Sequence, residues 1–174
     1  MSRRSRQLLL VALILAASQT GAADDQPQWG QRWTRNLVSD EKGLPDDFDP
    51  GQKDVRTGEI DLKATRNVKW VARLGNQSYG TPIVAGGKVY VGTNNDAPRD
   101  PRLEGDRGVL MCFVEATGEY LWQLNLPKML KPKWADWRYI GITSTPVVER
   151  NRAYVVTNRN EVVCLDTEGM ANGN

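Results

Sequence analysis

The chain has 174 residues, with 23 Lys and Arg against 21 Asp and Glu, and it contains no His. That balance excludes a strongly basic surface for nucleic acid or an anionic membrane. The missing His excludes His-based acid–base catalysis and His-ligated zinc or haem.

Residues 1–23 have the form of a secretory signal. Arg3, Arg4 and Arg6 are basic, residues 8–17 are an apolar run too short to span a bilayer, and Gly21-Ala22-Ala23 offers a cleavage site. An uncleaved anchor is the other reading. Arg6 stands where a twin-arginine signal carries an apolar residue, which favours ordinary secretion. Cleavage removes three arginines and moves the formal charge from +2 to −1. The expectation is an exported protein, periplasmic or secreted, with no membrane span left and no nucleic-acid partner.

Residues 24–66 form an irregular leader. They alternate charges with turn formers and lack a sustained period of 2 or 3.6. Trp29, Trp33, Leu44 and Phe48 are expected to anchor this leader on the main body.

From residue 67 the chain reads as strands: 68–74, 81–85, 88–93, 109–115 and 119–124. Gly86-Gly87 is a hairpin turn, because Gly enters the positive-φ region without a steric penalty. The cycle then restarts at 145–148, 152–157 and 161–166, with Glu149-Arg150-Asn151 replacing the Gly-Gly turn. β-branched residues and Tyr dominate these runs.

The restart is a self-match. Gly80-Thr81-Pro82-Ile83-Val84, Val89-Tyr90-Val91 and Thr93-Asn94 recur as Ser144-Thr145-Pro146-Val147-Val148, Ala153-Tyr154-Val155 and Thr157-Asn158. Four-stranded meanders repeated in sequence predict an all-β propeller, with blade one about 80–125 and an incomplete blade two about 143–169. Tight hairpins argue against a parallel β-helix. Cys112 and Cys164 occupy matching strands, which favours two buried small residues over a disulfide.

Cys112, Thr117-Gly118 and Trp122 form a spaced motif, Cys-Phe-Val-Glu-Ala-Thr-Gly-Glu-Tyr-Leu-Trp. It resembles the docking motif of the pyrroloquinoline-quinone (PQQ) type propeller repeat: a small residue, an Asp two later, Thr-Gly at the turn, then Trp. Val114 stands here for the Asp. Cys164 and Asp166 restart the motif, and Trp70 reads as a docking strand whose own blade is not in this chain. The resemblance implies that a Trp on the outermost strand fills the wedge between adjacent blades, and that a small neighbour makes room for it. It also implies more blades than are present. The chain reads as the N-terminal part of a larger propeller, or else as a short protein that assembles with copies of itself or with a second chain.

Two insertions are the candidate functional loops. One spans 96–108 and the other 126–142; in an up-and-down blade both emerge at the same end. The second carries Trp134, Asp136, Trp137, Arg138 and Tyr139, aromatics interleaved with charge that suit a planar ligand, a sugar or a peptide. The first carries Asp96, Asp100, Glu104 and Asp106, whose spacing matches no calcium loop. The expected function is a binding or protein-interaction scaffold, with a protein or small molecule on the loop-bearing face. No cofactor is evident. Resemblance to quinoprotein dehydrogenases offers the alternative, with PQQ and calcium, but the chain has no adjacent Cys-Cys pair and no residue that maps to the catalytic Asp. The outer-membrane assembly lipoproteins share the repeat and carry a lipidated Cys after the signal, where this chain has Asp24.

Overall fold

A computed structural model of the chain describes residues 24–129 and 136–171. The signal-like segment and Trp134 therefore lie outside the described residues. Two antiparallel sheets follow the leader. Blade one contains β1 (Ile83–Ala85), β2 (Lys88–Asn94), β3 (Arg107–Val114) and β4 (Tyr120–Pro127), paired in sequence order. Blade two contains β5 (Val147–Glu149), β6 (Arg152–Val156) and β7 (Val162–Asp166), also in sequence order. This is the all-β architecture of an incomplete propeller of about two blades. The only helix among the described residues is a single 3-10 turn, Leu62–Ala64.

The repeat in sequence is a repeat in register. Ile83 pairs with Tyr90 and Tyr90 with Cys112; Val147 pairs with Tyr154 and Tyr154 with Cys164. Gly86 and Gly87 turn at φ 59° and 72°, while Arg150 takes φ 55° in the matching turn. A non-glycine residue there costs about 1 kcal/mol or more.

Alternation decides which face each strand residue covers. Tyr90, Leu110 and Cys112 join Ile83, Val148, Ala153 and Val155 in a core that runs between the two blades. Val91, Val109, Met111 and Phe113 point to the other face of blade one, where Ala72 and Leu74 cover them. β3 is buried along six consecutive residues as a result.

Three expectations are corrected. Residues 68–74 form no strand, because no strand among the described residues pairs with them. Trp29, Trp33, Leu44 and Phe48 are all more than half exposed, so they do not anchor the leader. Its first residues do so instead, through the main chain: Gln26 bridges to Val84, Pro27 O accepts from Val148 N at 2.7 Å, and Asp25 accepts from Gly86 N. The leader thereby ties β1 to β5. Finally, Cys112 is buried but Cys164 is exposed, and both are free thiols. The fourth strand that would cover Cys164 is not among the described residues.

Candidate functional site

The joints between units come first, because they fix where the loops stand. Trp122 on β4 lies beside Cys112 across the ladder, with its ring 5.9 Å from that of Tyr90. Its indole Nε1 donates to Thr167 O at 3.0 Å. A Cβ on Gly169, at φ 63°, would stand 2.8 Å from this ring, so the turn needs Gly for both its conformation and its closeness. Trp70 repeats the joint one unit earlier. Its Nε1 donates to Glu115 O at 2.7 Å, and a Cβ on Gly118, φ 74°, would stand 2.5 Å from its ring. Thr117 sits in the same turn, where its hydroxyl accepts from Glu119 N. Lys88 and Glu168 add an ion pair at 2.7 Å across the blade boundary.

The strand ends then position the loops. β3 begins at Arg107 and β4 runs to Pro127, so the first insertion is 95–106 and the second starts at Lys128. Asn95, buried at the base of the first loop, donates to Leu103 O at 2.5 Å and to Gly105 O at 3.1 Å. Arg102 donates to both carboxylate oxygens of Asp100, and these bonds pull that carboxyl down to about 2.

Asp136 holds the second loop. It accepts from Lys128 Nζ at 2.6 Å, Met129 N at 2.8 Å and Asn158 Nδ2 at 2.9 Å, and its side chain is only 2% exposed. Lys128 also donates to the carbonyls of Trp137 and Ile140. This buried carboxylate is thus a clamp: every bond named ties loop two to itself or to blade two.

Tyr139 joins the loops. Its N donates to Asp106 Oδ2 at 2.6 Å and its carbonyl accepts from Asn94 Nδ2 at 2.6 Å, holding φ at 63°. A left-handed non-glycine pinned from both sides is the kind of strain that collects at functional sites. Arg138 stacks over the Tyr139 ring at 5.2 Å, and Trp137 and Tyr139 are each more than half exposed. Between the loops lies a pocket of about 380 Å³, lined by Asp96, Glu104, Asp106, Asn94, Asn95 and Tyr139 among others. Both insertions therefore meet at one end of blade one. Asp106 Oδ1 is buried there without a hydrogen-bond partner, 3.9 Å from Lys128 Nζ.

Among the described residues no group of three or more His, Cys, Asp and Glu side chains is placed to hold a metal ion. Asp100 turns to Arg102 and Asp106 to Tyr139, which separates the acidic residues of the first insertion. Cys112 and Cys164 stand in different sheets.

Asn94, Asn158 and Lys128 organise this end of the blades, and sequence reasoning passed over all three. The signal was available: Thr-Asn closes both copies of the self-match, a polar pair at a strand end where a plain hairpin needs none.

A larger groove, about 550 Å³, adjoins the first loop at Asp96 and Ala97 and runs between residues 71–76 and the leader residues Lys53, Gly58, Glu59 and Ile60. It runs beside the docking segment that lacks a ladder partner.

No curated protein matches the chain. A family model described as outer membrane protein assembly factor BamB matches residues 106–171, just over a third of the chain. That stretch runs from the start of β3 through β7 and includes the Trp122 joint and its Gly169 turn. With the register repeated in both sheets and the Trp joint repeated at Trp70, the chain carries a PQQ-like repeat, folded as blades of an incomplete propeller.

Proposed function

We propose that this is an exported propeller protein that acts as a binding scaffold, with the pocket between its two loops as the recognition site. The observation that carries the reading is Tyr139, held left-handed between Asn94 and Asp106 at the wall of an acidic pocket. Asp96, Glu104 and Asp106 supply negative charge, while the exposed Trp137 and Tyr139 offer flat apolar surface. That combination suits a cationic group such as a Lys or Arg side chain of a protein partner. Export is supported by the signal-like residues 1–23 and by a matched family named for outer-membrane protein assembly.

Binding of a short arginine-rich peptide, measured calorimetrically at low salt, tests the reading. Asp96→Asn combined with Glu104→Gln should weaken binding about tenfold or more, and added salt should weaken binding to the parent chain. Equal affinity in the parent and the double variant would refute the pocket as the recognition site.

A further inference from the structure

Each loop places an arginine over a tyrosine ring, and the two arginines are held differently. Arg99 of the first loop lies over the Tyr120 ring at 5.2 Å and the Phe113 ring at 6.0 Å. Its guanidinium also donates to Arg73 O at 2.7 Å, which anchors it to the main chain of another segment. Arg138 of the second loop lies over the Tyr139 ring at 5.2 Å. Its guanidinium donates to the hydroxyl of that same neighbour at 3.1 Å, in an exposed bond. Among the described residues no ion pair includes Arg138. An exposed stack of this kind is weak. Arg99 is therefore fixed, and Arg138 is free to leave its ring.

Tyr139 has no such freedom. Asn94 and Asp106 bond its main chain and hold it at φ 63°, in the wall of the pocket that Asp96 and Glu104 also line. Arg138 lies on the ring beside the pocket, not in its wall, and its own side is exposed to solvent. The ring stays while its arginine moves. The two halves of the surface also ask for different things. Carboxylates attract any cation. An aromatic face favours a planar, weakly hydrated guanidinium over a compact, strongly hydrated ammonium. The acids thus set the sign of the ligand, and the ring sets the choice between arginine and lysine.

We propose, resting on the loop pocket as the recognition site, that Arg138 is a resident stand-in for the ligand. It covers the Tyr139 ring in the free chain, and a partner's arginine displaces it on entering beside the acidic residues. The site selects arginine over lysine, and Arg138 holds its affinity down, because only chains with an uncovered ring are competent to bind.

Calorimetric titration of the full chain with two peptides of equal length and charge, one built on arginine and one on lysine, is the test. Arg138→Ala should bind the arginine peptide about threefold or more tighter than the parent does, and should gain clearly less for the lysine peptide. Loss of a positive charge near the pocket would by itself tighten both peptides alike, so the difference between the two gains reports the ring. Tyr139→Ala should abolish the preference for arginine, since the bonds that fix residue 139 go to its main chain and survive the substitution. Arg138 is exposed, so its removal should leave the denaturation midpoint unchanged. If Asp96→Asn with Glu104→Gln weakens binding but Arg138→Ala gains nothing, or gains equally for both peptides, this proposal is overturned and the pocket stands. Binding of neither peptide by the parent or by Arg138→Ala overturns both.

Discussion

Blade one and blade two are built on the same register, yet they are buried differently. In blade one Tyr90 and Cys112 face blade two, while Met111 and Phe113 face the docked segment 68–74, so both faces are covered. In blade two Ala153 and Val155 are buried between the blades, but Val156, Val162 and Cys164 are exposed. The sequences of the two units are too alike for composition to explain this. Position in the array explains it: each unit takes half its burial from its neighbours, and a unit with one neighbour is half covered.

The joints between units should therefore give the largest effects. Trp122→Ala removes a ring packed against Tyr90 and the bond to Thr167, and should lower stability by about 3 kcal/mol in denaturant titration. Trp70→Ala loses an equivalent bond but a more distant ring contact, with Phe113 at 6.4 Å, and should cost less, about 2 kcal/mol. An equal loss at both positions would mean that the closer packing of Trp122 on the core between the blades adds nothing to the joint.

A smaller effect is a pH dependence that comes from the buried face of blade one. Burial pushes the Cys112 thiol up to about 12, against a partial opposing pull from Lys88. Burial also raises the Tyr90 hydroxyl, with Cys112 adding to the effect. A group with a raised folded pKa contributes stability that is fully present below its unfolded value and lost as pH climbs toward the folded one. The denaturation midpoint should therefore fall between about pH 9 and pH 11. Cys112→Ala should flatten that fall.

Much of this contrast could be read from residue types. The alternation of Val89, Tyr90 and Val91, the Gly86-Gly87 turn, and the spacing of Cys112, Thr117-Gly118 and Trp122 encode local geometry, and local geometry follows from local sequence. The rest depended on what a residue meets across space. Trp29 and Phe48 are apolar and were natural anchors, but main-chain bonds from Gln26 and Pro27 hold the leader, and main-chain bonds leave little mark on side-chain choice. Cys164 has the same local pattern as Cys112, and only the missing neighbour strand exposes it. Residues 126–142 looked like one aromatic loop; in the structure Asp136 and Lys128 clamp it, while Trp137 and Tyr139 face outward.

The central claim is that equivalent residues differ only because one unit has neighbours on both faces. Thiol labelling of the dilute native chain measures this directly at Cys112 and Cys164. Cys164 should react at nearly the rate of a free thiol, and Cys112 only as fast as the chain unfolds. Equal labelling rates at the two cysteines would contradict the account.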